Sequence, residues 1–290
     1  MSRILDALQR ASEEQGGSAA ANGAGDATLP DLLRALRPHS AGASATVRFA
    51  PLRYRANPEH LLVTDGAERT AQAESFRMLR FRLEVWRGRE PRKSVLVASS
   101  IPREGKTMVA VNLARTLGLT GARVLLIDAD LRKGGVHELL DFPPQAGLAD
   151  VLRGGPAWTE ACREIPALSF FYLPAGRLPG NPAELLRGPR LRQVLRETEG
   201  AFDWIILDSP PLVPFADARY LATLANGALL VARARYTPIP ELRKSLRALE
   251  SFPLVGLVMN DGDVATASRY YTPYAASLAL PPDHQGAAGA

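Results

Sequence analysis

Cysteine is almost absent from this chain of 290 residues. The one thiol, Cys162, excludes an internal disulfide and a cysteine-built zinc site, and it fits a reducing compartment. Histidine is sparse too, with four residues scattered so that no metal-ligand spacing emerges. No apolar run approaches the ~20 residues that a membrane helix needs. Met1 to Arg10 mixes charged with apolar residues where a signal peptide would carry an apolar core, so the expectation is a soluble, cytoplasmic protein. Lysine is rare as well, limited to Lys93, Lys106, Lys133 and Lys244, and the formal net charge of +5 rests on arginines spread along the chain without a basic block. Solvated helix faces account for such a spread, and no nucleic-acid site is claimed from it. What the chain has in quantity is apolar residues, 46% against 22% charged, enough for one globular domain plus appendages.

Residues 1–65 read as a flexible arm. Ile4, Leu5 and Leu8 share one helix face, an Ala/Gly/Ser tract follows, then a second leucine-rich turn (Leu29, Leu32, Leu33, Leu36) and another small-residue tract. Helices this short do not hold themselves together in water, and more often dock on partners or fray. From about Glu68 the pattern is regular. A helix over Glu68 to Trp86 precedes strands at Ser94 to Ala98 and Val124 to Asp128, and further apolar runs at Leu168 to Leu173, Trp204 to Asp208, Ala228 to Ala232 and Val255 to Asn260. Strands alternating with helices imply an α/β domain over 66–262 with a doubly wound, mostly parallel sheet, followed by a tail over 263–290. Ligands of such sheets bind at the carboxyl ends of the strands.

The strand Ser94 to Ala98 runs through Ser99-Ser100-Ile101-Pro102-Arg103-Glu104 straight into Gly105-Lys106-Thr107 and a helix. That arrangement holds phosphates, because loop N–H groups and the positive end of the helix dipole face the anion. Lys106 reaches the β- and γ-phosphates, the Thr107 hydroxyl can ligate Mg²⁺, and Gly105 allows close backbone approach. A chain of this composition would contain roughly 0.03 such tripeptides by chance. The usual first glycine of the loop is replaced by Ser100, so only the second half of the general pattern is met. The candidate cradle covers Ser100, Arg103, Glu104, Gly105, Lys106, Thr107 and Met108, with Lys106 expected as an exposed loop side chain.

Two acidic motifs fall at the same sheet edge. Val124-Leu125-Leu126-Ile127 delivers Asp128 and Asp130 with Arg132 at its mouth, and Trp204-Ile205-Ile206-Leu207 delivers Asp208 before Ser209-Pro210-Pro211. Charges beside a sheet core are costly unless they hold something. A single strand-end Asp is as readily a helix N-cap; both motifs together with Gly-Lys-Thr point instead to a nucleotide and its metal ion.

With these motifs the chain resembles the bacterial tyrosine autokinases of capsule and exopolysaccharide synthesis. Ser99 to Thr107 is similar to that family's Walker A, Asp128-Ala129-Asp130-Leu131-Arg132 to its Walker A′ and Asp208-Ser209-Pro210-Pro211 to its Walker B. The connectors Gly147 to Leu152, Leu173 to Gly176 and Asn181 to Leu186 match as well. Arg103 departs from the pattern, standing where the family usually has glycine.

The resemblance implies a P-loop NTPase fold, ATP and Mg²⁺ as cofactors, and tyrosine autophosphorylation. Thr107, Asp128 and Asp208 would position the metal ion, Asp130 would accept the tyrosine proton, Arg132 would stabilise phosphates or hold the loops, and Asn260 would lie near the adenine. Tyr270, Tyr271 and Tyr274, three of seven tyrosines, would be the acceptors, phosphorylated by a neighbouring subunit. Glu74, Arg77 and Arg80 match the family's Glu-x-x-Arg-x-x-Arg element and would build a homo-oligomeric ring; otherwise they are an ordinary surface ion pair. Without a membrane span, the expectation is a separate cytoplasmic kinase brought to the membrane only by an activator of the chain-length-regulator type. Two other classes compete. A partition or positioning ATPase needs a lysine where Ile101 stands, and a scaffold ATPase of an export complex with little catalysis differs only in its tail chemistry.

Overall fold

A computed structural model describes residues 49–55, 62, 70–88 and 91–262. The chain divides into two compact units, Met1–Arg37 and Pro38–Ala290, and every described residue belongs to the second. Tyr270, Tyr271, Tyr274 and the expected short N-terminal helices lie outside the described residues.

One eight-stranded sheet organises the described domain, in the order β1-β4-β5-β3-β6-β2-β7-β8. Its middle is formed by β2 (Ser94–Ser99), β3 (Val124–Asp128), β6 (Trp204–Asp208) and β7 (Gly227–Arg233), all paired in parallel. Every residue of β2, β3 and β6 is buried, which explains why they read as continuous apolar runs instead of alternating ones. Helix α1 (Ala71–Arg87) packs against α2 (Lys106–Gly118) on one face, where Leu83, Val109, Leu113, Leu117 and Trp204 share a core. The opposite face is covered by α7 (Pro189–Ala201), α8 (Ala216–Ala222) and α9 (Ile239–Ala248), through Leu191, Val194, Leu221 and Leu249 beside them. Short helices α3 (Gly135–Leu139), α4 (Leu148–Leu152), α5 (Trp158–Ala161) and α6 (Pro182–Arg187) fill the connections. No described helix is long and apolar enough to cross a membrane.

The sheet is wider than the apolar runs suggest. Strand β4 (Arg163–Ile165) pairs antiparallel with β5 (Phe170–Leu173), and β1 (Ala50–Pro51) pairs in parallel with β4. Neither shows in the pattern, because β4 is three residues with Arg163 and Glu164 and β1 is only two. Phe49 is buried against Trp158, Phe171 and Phe202. Part of the stretch expected as an arm thus packs as the sheet edge, and Leu62 is buried in the core as well. At the other edge β8 (Leu254–Asn260) extends β7 and ends beside the loop after β2.

Helix α1 begins later than its apolar periodicity implies. Thr70 is the N-cap, its hydroxyl accepting from Ala73 N–H at 3.2 Å, and Gly88 at φ 48° ends the helix. Glu74 and Arg77 pair at 2.9 Å on the exposed face. Arg80 does not join them: it lies 3.5 Å from Glu84 and donates to the Thr116 carbonyl of α2 at 3.4 Å.

Candidate functional site

The carboxyl ends of β2, β3 and β6 meet at one place because the strands are neighbours and parallel, with Asp128 directly opposite Asp208 in register. Gly105 caps α2 at φ 87°, and a Cβ there would fall 2.0 Å from Asn260 Nδ2. Only glycine meets both conditions. Lys106, the first residue of α2, places its ammonium 3.1 Å from Asp130 Oδ2, 3.4 Å from Asp208 Oδ1 and 3.2 Å from Thr107 Oγ1. The Thr107 hydroxyl donates to Asp208 Oδ2 at 2.8 Å. Lys106, Thr107, Asp128, Asp130 and Asp208 are therefore brought together as their motifs suggest. Lys106 is not the exposed loop side chain expected: only 12% of it is accessible.

Electrostatics at this edge are unbalanced. Burial raises the Asp128 carboxyl well above the ordinary carboxylate range, and the adjoining Asp208 raises it further, against the Val136 N–H at 3.1 Å and Lys106. Burial likewise raises Asp208, opposed by Lys106 and the Thr107 hydroxyl. For Lys106 burial works in the opposite sense, but Asp208, Asp130 and Asp128 outweigh it and hold the ammonium above its usual value. One buried cation faces three acids, a donor set that favours additional positive charge. Asp130 is held from behind, its Oδ1 accepting from the Arg132 N–H at 3.3 Å and the Lys133 N–H at 3.2 Å.

The other candidates lie in and around the loop. Glu104 is buried with its carboxylate turned into the loop, where Oε2 accepts from Ile101 N–H at 2.8 Å and Oε1 from the Thr237 hydroxyl. It braces the loop from inside. Arg103 adopts φ 67°, the left-handed region where an L-residue costs roughly 1–2 kcal/mol, which is the physical reason glycine suits this position. Its exposed residue lines a cleft of about 440 Å³ with Gln72, Gly105, Arg233, Asn260, Asp261 and Gly262. Asn260 donates from Nδ2 to the Glu104 carbonyl at 2.9 Å, and Met108 is half-buried in the core on the α1 side. Ser100 is fully buried, and its hydroxyl has no hydrogen-bond partner among the described residues.

Arg132 meets the carboxylate cluster through its backbone N–H on Asp130, while its side chain binds elsewhere. Its Nε donates to Asp217 Oδ2 at 2.6 Å and its guanidinium lies 4.1 Å from the centre of the Phe215 ring. Neither Thr237, in the connection after β7, nor Asp217, in the first turn of α8, belongs to a motif with recognisable spacing. The nearest signal was Asp217 nine residues after Asp208, in the first turn of a helix.

Comparison with known proteins identifies the family. Residues 101–265 match the family described as cellulose biosynthesis protein BcsQ. Tyrosine-protein kinase YwqD of Bacillus subtilis is 33% identical over 204 residues, covering 70% of this chain and 86% of that protein. The succinoglycan biosynthesis transport protein ExoP of Rhizobium meliloti is 31% identical over 211 residues, 70% of this chain but 27% of that longer protein. Among solved structures, the kinase domain of Escherichia coli tyrosine kinase ETK superposes with a TM-score of 0.66 at 28% identity, covering 74% of this chain and 88% of that one. By these matches, and by the loop and carboxylates at its central strand ends, the chain belongs to the bacterial tyrosine-protein kinase family of polysaccharide biosynthesis.

Proposed function

We propose that the protein is an ATP-dependent tyrosine autokinase regulating capsule or exopolysaccharide synthesis and export. The observation that carries this reading is Lys106 held between Asp130 and Asp208, with Thr107 bonded to Asp208. Mg²⁺ fits the residues present. Two fully buried carboxylates, Asp128 and Asp208, share the single Lys106 cation with Asp130, and Thr107 supplies a hydroxyl beside Asp208. Among the described residues no group of three His, Cys, Asp or Glu forms a metal cage. Phosphate-bound Mg²⁺ needs none, since it keeps several waters and takes one or two carboxylates. Thr107, Asp128 and Asp208 would hold the ion directly or through water, and the bound ion would neutralise phosphate charge.

The chain's own residues account for the rest. Lys106 must leave Asp130 to reach a phosphate, and that exchange frees Asp130 Oδ2 to accept the tyrosine proton. The phenolic oxygen then bonds to the γ-phosphorus as its bond to the β,γ-bridging oxygen breaks, and ADP departs. The acceptors are Tyr270, Tyr271 and Tyr274 of a neighbouring subunit, on a segment that begins just past β8. Tyr172 is no acceptor in the folded protein, because burial encloses its hydroxyl and raises its pKa well above the usual value.

Changing all three tail tyrosines to Phe tests this reading, with the cytoplasmic segment of a chain-length-regulator-type activator supplied. Phosphotyrosine is expected to vanish while ATP turnover persists. Undiminished phosphotyrosine would remove the tail as acceptor, and turnover without phosphotyrosine in the unmodified protein would favour a scaffold ATPase.

Assembly into a ring belongs to the same proposal. Glu74 and Arg77 lie on an exposed face of α1 that also shows Met78, Phe81 and Val85. Glu74→Arg is expected to lower the mass measured by light scattering without changing the melting temperature. An unchanged mass would leave α1 as ordinary surface.

A further inference from the structure

The Asp217 carboxylate is 1% accessible, and its Oδ1 has no hydrogen-bond partner among the described residues. Burying a carboxylate with one oxygen unsatisfied costs stability, so this position calls for a compensating role. Its other oxygen takes the Arg132 Nε at 2.6 Å, and Phe215, two residues earlier, stacks on the same guanidinium. Asp217 and Phe215 follow β6, whereas Arg132 follows β3. The clamp therefore joins the two connections that leave the acidic strand ends.

Its effect reaches the centre of the site through the backbone. Arg132 and Lys133 N–H groups hold Asp130 Oδ1, and Gly134 N–H donates to the Asp130 carbonyl at 2.7 Å. A fixed Arg132 side chain fixes that turn, and the turn sets Asp130 Oδ2 against Lys106 at 3.1 Å. A favourable charge in the first turn of α8 is a competing explanation for an acid at this position. It requires neither the arginine from the other connection nor the burial.

We infer that Asp217 is a positioning residue for phosphoryl transfer: through Arg132 and Phe215 it holds the β3 connection so that Asp130 is aimed at Lys106 and the acceptor. The inference rests on the kinase reading above. It predicts a loss in kcat with the KM for ATP unchanged, because the loop that binds phosphates is not part of the clamp.

The experiment measures Lys106-dependent phosphotyrosine formation by Asp217→Asn, Arg132→Gln and the double variant, in the full chain with the activator segment. Each single change should lower kcat about tenfold with the KM for ATP within twofold, and the double variant should lose no more than either alone. Additive losses, a rise in KM alone, or wild-type kcat in Asp217→Asn would overturn the inference. If Asp217→Asn does not fold, Phe215→Leu removes the stacked ring without altering a buried charge. It must then lower kcat severalfold at unchanged KM, and wild-type kcat in that variant overturns the inference. Absence of Lys106-dependent product in the wild type would instead refute the kinase reading.

Discussion

Lys106→Met is expected to lower ATP turnover by about 10²- to 10³-fold, the range found when one preorganised charge-stabilising donor is removed from a transition state. The side chain is mostly buried between Asp130 and Asp208, so the substitution also removes the cation that compensates those acids. Breaking such a pair from one side costs stability, and the melting temperature should fall. Turnover must accordingly be compared well below the melting temperature of the variant, with circular dichroism confirming the fold. Retained turnover would remove Lys106 from the mechanism.

The opposite effect on stability is expected at Asp208. In Asp208→Asn the amide oxygen still accepts from Lys106, and the amide nitrogen can donate to Thr107 Oγ1 once that hydroxyl turns to accept, so both contacts of the side chain are kept. The negative charge that helps to raise Asp128 is lost, while Lys106 keeps Asp130 at 3.1 Å. Relief of a strained site of this kind typically yields about 1 kcal/mol, or roughly 2–4 °C in melting temperature for a domain of this size.

The pH dependence follows from the direction of the shifts. Folded Asp128 and Asp208 hold protons more tightly than the unfolded chain, whose carboxyls titrate near 3.8. As pH rises above that value toward the raised folded values, the native state binds more protons than the unfolded one, and stability falls. That decline should be shallower in Asp208→Asn, while Mg²⁺-dependent turnover falls by at least about 10²-fold. A variant less stable than the wild type near neutral pH would contradict the account of a charge-deficient site.

The central strands and their acids were legible because burial on both faces makes continuous apolar runs, and a charge ending such a run stands out. Val124–Asp128 and Trp204–Asp208 have the bounds that their sequences suggest. The short edge strands β1 and β4 were not, since two or three residues carry no period and gain their structure from tertiary pairing. Lys106, Thr107 and Asp208 converge as their motifs imply. The inward turn of Glu104 onto Thr237, the rotation of Arg80 onto α2 and the capture of Arg132 by Asp217 depend on contacts between segments distant in sequence. Local pattern holds no information about them. Arg103 shows the reverse: its mismatch with the glycine of related loops was visible in the sequence, and its positive φ supplies the reason.

Intact-protein mass spectrometry with peptide mapping tests the kinase account most directly, applied to the full chain expressed with and without the Lys106 side chain. The account predicts added phosphate on Tyr270, Tyr271 and Tyr274 in the wild type and none in Lys106→Met. Phosphate mapped to other residues, or present equally in both proteins, would contradict it.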